Sequence, residues 1–300
     1  MQKTKISIII PIYRVKKYLK DCLDSLIRQD FQERYNIILV ETGSDDGSNE
    51  ICKEYENKYI GKIYWFHYEK KENISRGRNL GILHANGEYI CFVDGDDIAK
   101  ENFLSSLYAK AIEEKDAMII SSSYAILNEN KNEKKGFSFS FLGTGKEALL
   151  KLSHNRNSKY RGYCWGKLFN RRFILLNHIF FDEQMKIYED VLFMNKAYYL
   201  ASKVCFLPSE LYLYCKHNDS TMSVNKDFIS YRILYYKKAI SYLYKENPIY
   251  AKKLFHRFYK PMKLQLKYDC EASKSFYQDD FKHLYKQSIK EIKDIWKEKL

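Results

Sequence analysis

The sequence contains no long hydrophobic run and no closely spaced cysteine pair. An apolar stretch of about 18 residues, which would suggest a membrane-spanning helix, occurs nowhere in the chain. The first residues lead directly into a short apolar run, so no secretory signal is expected. The seven cysteines are scattered and none has Cys-x-x-Cys spacing, which argues against a zinc site or a disulfide framework. A reducing cytoplasm is the expected environment.

Positive charge is concentrated towards the carboxyl terminus. The chain has a formal net charge of +13, and residues 226–300 hold 18 lysines and arginines against 9 aspartates and glutamates. Three interpretations of the aromatic-rich segment 225–300 stay open: contact with an anionic membrane surface, packing against the rest of the chain, and a homodimer interface. No nucleic-acid partner is expected, because the segment contains no recognisable binding module.

Apolar runs alternate with helical patterns over the first 125 residues. Continuous apolar runs predict buried strands at 6–10, 36–40, 63–67, 89–93 and 118–122. Apolar residues at helical spacing predict helices at 15–27, at 48–58, from about residue 75, and at 103–112. This alternation is typical of βαβ units, so we expect an α/β fold with a mainly parallel, twisted sheet flanked by helices.

The pattern changes after residue 125. The elements predicted after this point are shorter and less regular, and the polar residues 128–135 predict an exposed loop. Helical spacing returns after residue 224 and is interrupted near Pro248 and Pro261. We therefore expect three segments, at 1–125, 126–224 and 225–300.

An acidic cluster, Asp94-Gly95-Asp96-Asp97, directly follows the apolar run 89–93. Three carboxylates at the end of a strand repel one another unless a cation or polar ligand compensates them. Mg²⁺ and Mn²⁺ commonly bind one or two carboxylates together with substrate phosphates. Ligands of open α/β sheets bind at the carboxyl ends of the strands. The cluster therefore indicates a metal–diphosphate site, with a solvated acidic turn as the alternative.

Further short motifs occur in order between residues 5 and 222. They are Ile6–Tyr13, Cys22–Leu26, Val40–Ser48, Ser75–Asn79, Gly87–Ile90, Trp165–Phe169 and Glu189–Phe193. Together with the acidic cluster, they resemble the inverting glycosyltransferases of family 2, which have the GT-A fold. The resemblance implies that segment 1–125 is the nucleotide-sugar-binding half of a GT-A domain and segment 126–224 the acceptor-binding half. Segment 225–300 would be a helical carboxyl-terminal extension.

In that family, loops after the first two strands contact the nucleotide. The resemblance places Pro11 and Tyr13 along the base and ribose. The second loop of the family usually reads Asp-Asp-Gly-Ser, whereas this chain has Glu41 and Thr42 in place of the two aspartates. Two alternatives stay open here: Glu41 supplies a carboxylate to the base, or Thr42 bonds to the base without a charge.

The resemblance also assigns residues to the diphosphate and the metal ion. Arg78 would lie at the nucleotide site, where a guanidinium group binds phosphate oxygens. Asp96 would ligate Mn²⁺ or Mg²⁺ together with Asp94, which also faces the ribose. Asp97 would orient the site or the donor sugar. His217 is a further candidate for contact with the diphosphate or the metal.

The acceptor side of the family's site corresponds to two later motifs. Asp190 matches the general base, and Glu189 would orient the acceptor; the adjacent charges would also raise one pKa of the pair. The alternative for these two residues is ordinary helix capping. Trp165 and Lys167 belong to the acceptor-side segment, although a large aromatic residue more often packs in a core.

The resemblance implies a metal-dependent, inverting glycosyltransferase of the hexosyltransferase type. Its donor would be a nucleotide-diphosphate sugar, first of all a UDP-sugar. Its acceptor would be a hydroxyl of a bacterial glycan, either lipid-linked or on a glycoprotein. We expect a cytoplasmic enzyme, with peripheral contact at the inner face of the cell membrane as one option.

Two other functional classes remain as alternatives. A non-catalytic subunit with a GT-A-like fold would explain the departure at Glu41-Thr42 by a loss of donor recognition. A sugar nucleotidyltransferase is the second, but such an enzyme would carry a glycine-rich phosphate loop after the first strand. Residues 11–14 do not form such a loop.

Overall fold

The computed structural model describes residues 3–128, 132–152, 162–217 and 228–247, together with 286, 289, 290, 293 and 294. The described strands, β1 to β10, are Ile6–Ile12, Tyr35–Thr42, Ile63–Tyr68, Tyr89–Phe92, Ile98–Ala99, Ile119–Leu127, Glu133–Phe137, Phe141–Gly143, Lys167–Asn170 and Val204–Cys215. The described helices, α1 to α8, are Lys16–Ile27, Ser48–Lys58, Ile74–His84, Phe103–Glu113, Gly145–Leu152, Arg171–Leu176, Glu189–Leu200 and Phe228–Glu246.

The strands form one sheet in the order β3-β2-β1-β4-β9-β6-β10-β5, with β7 paired to β6 and β8 paired to β10. Strand β1 runs parallel to β2 and β4, and β2 runs parallel to β3. Strand β9 is antiparallel to β4 and β6, whereas β10 is parallel to β6. The predicted α/β fold is confirmed: the first half of the sheet is parallel, and antiparallel strands enter in the second half.

Helices cover both faces of the sheet. Helices α1, α2 and α4 pack on one face, around residues that include Leu23 and Leu39. Helices α3, α5, α6 and α7 pack on the other face, around Phe92 and Phe193. Strands β1 and β2 are buried along their whole length between these layers. Burial on both faces explains their continuous apolar runs.

The parallel strands bring three chain segments to one edge of the sheet. Because β1, β2 and β4 run in the same direction, their carboxyl ends meet there. The turn that contains the acidic cluster, residues 94–97, directly follows β4. The loops after β1 and β2 leave from the same edge. This is the position at which open α/β sheets bind ligands.

The structure corrects one part of the sequence-based expectation. Residues 128–135 were expected to form an exposed loop, but Glu133–Phe137 is strand β7, paired antiparallel with β6. The prediction of a loop is wrong for residues 133–135, because pairing with β6 satisfies the backbone while Lys134 and Lys135 stay exposed to solvent, as expected. Residues 129–131 lie outside the described residues. Strand β6 also runs past the expected end at residue 122 and contains the 125/126 boundary. The two halves therefore share one continuous sheet.

The first part of the carboxyl-terminal segment is helical, as predicted. Helix α8 packs against α7, and Leu243 joins the core on that face of the sheet. The helices expected after residue 247 lie outside the described residues, apart from the five isolated positions. In the described part of the chain, no helix has both the length and the hydrophobicity needed to cross a bilayer.

Helix α3 approaches β1 closely at Gly81. A Cβ added here would lie 2.2 Å from Cγ2 of Ile9, which is fully buried. We expect Gly81→Ala to lower the free energy of unfolding by about 1–3 kcal/mol, because overpacking outweighs the better helix propensity of alanine. Urea unfolding followed by circular dichroism measures the change.

Gly77 provides a matched control on the same helix. A Cβ at this position would lie 3.5 Å from Cβ of Pro11, which is an ordinary contact distance. Gly77→Ala should leave the free energy of unfolding unchanged or raise it slightly. An equal loss of stability in both variants would contradict the packing explanation.

Candidate active site

The side chain of Arg78 lies between two carboxylates at the carboxyl edge of the sheet. Its NH2 donates to Oδ1 of Asp94 at 2.9 Å, and its NH1 donates to Oε1 of Glu189 at 3.0 Å. The guanidinium carbon also lies 5.2 Å from the centre of the Phe181 ring. Only 3% of Arg78 is exposed. One buried cation therefore joins the turn after β4 to the start of α7.

The local structure of α3 explains why Arg78 faces inward. The side chain of Asn73 caps this helix by accepting a hydrogen bond from the Arg76 backbone N–H. The buried face of the helix comprises Ser75, Gly77, Arg78, Asn79, Gly81 and Ile82. Arg76 lies off this face and forms an ion pair with Glu183 at 3.3 Å. Of the two arginines in the motif, Arg78 is the one at the site.

Glu189 and Asp190 form the first turn of α7. Burial raises the pKa of Asp190 to about 8, the neighbouring Glu189 charge adds to this shift, and Arg78 opposes it. Burial also raises the pKa of Glu189, against the lowering effect of Arg78. Burial, rather than the charge of the neighbouring carboxylate, is the larger cause of both raised pKa values. Both effects favour a carboxyl group that exchanges protons near neutral pH.

The three aspartates of the acidic cluster have different environments. The side chain of Asp94 is 25% exposed and pairs with Arg78. Asp97 is 1% exposed; its Oδ2 accepts from the Tyr212 hydroxyl at 2.7 Å, and its Oδ1 accepts from the Cys215 backbone N–H at 2.8 Å. Burial, with the charges of Asp96 and Asp94, raises the pKa of Asp97 well above its usual range. Asp97 therefore faces the protein interior, and Asp94 faces the site.

His217 lies beside this acidic cluster. Its ring stacks on Tyr18 at a centroid distance of 3.8 Å, and its Nε2 lies 3.4 Å from the carbonyl oxygen of Asp96. Asp96 itself is half-buried. The structure thus brings His217, a candidate from the sequence, next to the predicted metal ligand Asp96 although 121 positions separate them.

The carboxyl ends of β1 and β2 meet the start of α3. A Cβ at Gly77 would lie 3.5 Å from Pro11 and 4.0 Å from Cγ2 of Thr42. Thr42 is 4% exposed. Tyr13, at the end of the first loop, is half-buried, and the Nζ of Lys71 lies 4.6 Å from its ring centre. Pro11 and Thr42 therefore lie beside Gly77, which precedes Arg78 in the chain, and Tyr13 follows directly after β1.

Glu41 is engaged within the protein. It is fully buried; its Oε1 accepts from the Ser44 backbone N–H at 2.6 Å, and its Oε2 lies 2.5 Å from Nδ1 of His67. The carboxylate thus holds the loop after β2 and the end of β3. Sequence analysis did not identify His67, because its pairing with Glu41 arises from the register between β2 and β3.

Trp165 and Lys167 are both buried. Trp165 is 4% exposed and stacks with Tyr163 and Tyr212 at centroid distances of 4.5 and 4.6 Å. Lys167 is fully buried, and its Nζ donates to the carbonyl oxygen of Trp165 at 3.3 Å. Burial lowers the pKa of Lys167 to about 7. Trp165 is thus part of an aromatic cluster under the site.

Two further residues that organise the site, Tyr212 and Asn79, were not predicted from the sequence. The hydroxyl of Tyr212 bonds to Asp97 and accepts the backbone N–H of Asp94 at 3.2 Å, so it ties two parts of the acidic cluster together. Asn79 donates to the carbonyl oxygen of Phe181 at 3.0 Å and accepts its N–H at 2.8 Å. Asn79 follows Arg78 in a motif already singled out, but no local pattern marks Tyr212.

Comparison with known proteins gives the family of this chain. Residues 7–176 match the family described as Glycosyl transferase family 2. Glycosyltransferase GlyG of Streptococcus pneumoniae is 34% identical over 233 residues, which cover 74% of each protein. Cholesterol galactosyltransferase of Borreliella burgdorferi is 32% identical over 221 residues, which cover 71% of this chain and 60% of that protein. GlyA of S. pneumoniae is 33% identical, but the chain spans only 30% of its length.

Solved structures agree with the fold. A crystal structure of residues 1–349 of TarS from Staphylococcus aureus superposes with a TM-score of 0.66 at 20% sequence identity. The match covers 97% of this chain and 90% of that one. The same TarS fragment in complex with UDP-GlcNAc gives a TM-score of 0.65. Since the family match covers more than half of the chain and the resemblance rests on the motifs grouped at this site, the chain belongs to glycosyl transferase family 2.

Proposed function

We propose that this family 2 glycosyltransferase transfers a sugar from a UDP-sugar to a hydroxyl of a bacterial surface glycan, with inversion at the anomeric carbon. The observation that carries the proposal is the position of Arg78. Its guanidinium group forms hydrogen bonds both to Asp94, in the turn after β4, and to Glu189, at the start of α7. A structural neighbour, TarS, has been crystallised with UDP and with UDP-GlcNAc. Both observations support a nucleotide-sugar donor at this edge of the sheet.

Asp190 would act as the general base. Inversion requires a carboxylate on the face of the sugar opposite the leaving diphosphate, close to the acceptor hydroxyl. Burial and the Glu189 charge give Asp190 a raised pKa, so its deprotonated form is a stronger base than an ordinary aspartate. Glu189, held by Arg78, would keep the first turn of α7 oriented towards the acceptor. Positioning both substrates in one site would supply a further part of the rate acceleration.

The residues at the acidic cluster fit a divalent metal ion. Asp94 and Asp96 supply oxygen ligands, and His217 lies next to Asp96. Within the described ranges, no three acidic, histidine or cysteine side chains form a complete metal site. A site with only two protein carboxylates is usual for Mg²⁺ or Mn²⁺, because these ions often bind one or two carboxylates together with substrate phosphates. When bound, the ion would offset the charge that develops on the departing diphosphate.

We choose Thr42 as the residue that forms a hydrogen bond to the nucleotide base. Both carboxylate oxygens of Glu41 already have partners, Ser44 and His67, and the side chain is fully buried. Thr42 lies next to Pro11 and Gly77, at the junction of the nucleotide loops. The base would then be bound without a carboxylate at this position. Tyr13, directly after β1, would contact the nucleotide base or the ribose.

The acceptor and the cellular location follow from less direct observations. The names of several relatives refer to surface polymers, as in the minor teichoic acid biosynthesis protein GgaB of Bacillus subtilis. A lipid-linked or protein-linked glycan is therefore our proposed acceptor. Trp165 and Lys167 would support the acceptor side from beneath, since both are buried. The six cysteines of the described ranges are free thiols, which supports a cytoplasmic location.

Replacement of the proposed base tests this function. Asp190→Asn should lower the transfer rate by about 10²–10⁴-fold, because the amide does not accept the acceptor proton. The affinity for UDP, measured by calorimetry, should stay nearly unchanged, since Asp190 lies on the acceptor side. Asp116→Asn, at an exposed position, is the control and should retain full activity. Loss of UDP binding in Asp190→Asn would contradict the assignment of this residue as the base.

The pH dependence of the reaction provides a second test. Asp190 must be deprotonated to act, so kcat/KM should rise with pH up to about 8, the raised pKa of its carboxyl. Below this inflection the rate should fall by about tenfold per pH unit. Initial rates from pH 5 to 9 in a buffer of constant ionic strength measure the profile. A rate that is constant down to the pKa range of an ordinary aspartate would be inconsistent with an Asp190 base whose pKa is raised.

Metal removal is the third test. Chelation with EDTA followed by desalting should abolish transfer, and added Mn²⁺ or Mg²⁺ should restore it. Asp96→Asn should raise the metal concentration needed for half-maximal activity by roughly tenfold or more. Full activity after chelation would show that the acidic cluster works without a metal ion.

A further inference from the structure

The residue before the catalytic pair has a left-handed backbone conformation. Tyr188 has φ +67° and is the N-cap residue of α7, immediately before Glu189 and Asp190. This conformation is unfavourable for a side chain as large as tyrosine and persists only where the surroundings enforce it. A change at Tyr188 would rotate the first turn of α7 and move both carboxylates. The structure must therefore hold Tyr188 in place.

Helix α8 packs against Tyr188. The rings of Tyr188 and Tyr235 have a centroid distance of 6.0 Å and an interplanar angle of 46°. Both belong to a small apolar cluster, which we call the α7–α8 cluster. Its buried members are Met185, Ile187, Tyr188, Leu192, Tyr235 and Ala239. The cluster contains residues from the segment before α7, from the first turns of α7 and from α8.

Polar contacts fix the register of this packing. The hydroxyl of Tyr235 accepts a hydrogen bond from Nδ2 of Asn195 at 2.7 Å, and both residues are buried. Nearby on α8, Nζ of Lys238 bonds to Oδ2 of Asp182 at 2.6 Å and to Oε1 of Gln184 at 2.9 Å. Helix α8 is thereby attached both to α7 and to the segment that leads into it.

We propose that Tyr235 is a positioning residue for the Glu189–Asp190 pair. Its ring maintains the left-handed conformation of Tyr188, and its hydroxyl aligns α8 with α7 through Asn195. The inference rests on the proposed role of Asp190 as the base. It gives the first helix of the carboxyl-terminal segment a function in catalysis, although this helix lies beyond residues 7–176, the part matched by the family.

A second tyrosine on α8 allows this role to be separated from general packing. Tyr242 packs edge-on against Tyr199, with a centroid distance of 6.2 Å, and the Nζ of Lys196 lies 5.6 Å from its ring centre. These contacts are on the last turns of α7, away from Tyr188. Replacement of Tyr242 therefore removes an aromatic contact between the same two helices but leaves the start of α7 intact.

The test compares Tyr235→Ala, Tyr235→Phe and Tyr242→Ala in the full chain. Tyr235→Ala should lower kcat by about 10–100-fold with little change in the KM for the donor or the affinity for UDP, because misplacement of the base affects the chemical step. Tyr235→Phe keeps the ring and loses the hydrogen bond to Asn195, so its loss should be smaller. Tyr242→Ala should retain a kcat close to that of the wild type.

Hydrogen exchange provides a readout that does not depend on activity. Tyr235→Ala should speed the exchange of amides in the first turns of α7, including the Leu192 N–H that bonds to the Tyr188 carbonyl oxygen, whereas Tyr242→Ala should not.

Faster exchange with an unchanged kcat, or equal losses of kcat in Tyr235→Ala and Tyr242→Ala, would overturn the proposal. If the wild type transfers no sugar, the proposed function fails by itself, and unchanged exchange in Tyr235→Ala would separately refute the positioning role. If Tyr235→Ala does not fold, Tyr235→Phe decides: its kcat should fall while its UDP affinity stays constant, and an unchanged kcat would refute the role of the hydroxyl.

Discussion

The buried ion pairs of Arg78 are the interaction on which the site depends. One guanidinium group, almost without solvent contact, binds Asp94 after β4 and Glu189 at the start of α7. Removal of one partner from a buried set of this kind typically costs about 3–5 kcal/mol, because a charge is left uncompensated. The close approach of α3 to β1 at Gly81 carries Arg78 to this position. Packing of the core and assembly of the site are therefore linked.

Burial, more than the charge of Arg78, determines the acidity of the site. Burial raises the pKa values of Asp97, Glu189 and Asp190, and the charge of Arg78 offsets this effect only in part at Glu189 and Asp190. A cluster of carboxyl groups with raised pKa values reduces stability, and such clusters are typical of functional sites. Asp97 differs from the other two, because its oxygens are bonded to Tyr212 and the backbone. It orients the turn from inside, whereas Asp190 stands at the site.

Two separate parts of the chain hold the helix that carries Glu189 and Asp190. On one side, Asn79 of α3 bonds to the backbone of Phe181, whose ring stacks on Phe193 of α7 at a centroid distance of 4.0 Å. On the other side, α8 packs against the same helix through the α7–α8 cluster. Three interpretations of the carboxyl-terminal segment were open. For α8, the structure shows packing against the rest of the chain. The start of α7 is thus held from two sides, as the proposed general base would require.

The sequence by itself determined the alternating strands and helices, the family, and the residue types at the site. Helix α2 has the predicted bounds, Ser48–Lys58, because its apolar spacing is local information. Only the tertiary structure decided the partners of each side chain: Glu41 binds Ser44 and His67, and Trp165 packs among tyrosines. Strand β7 was missed for the same reason, since its polar residues become a strand only by pairing with β6. Periodicity and propensity act over about ten residues, whereas Arg78 and Glu189 are 111 positions apart and meet only when the sheet brings their helices together.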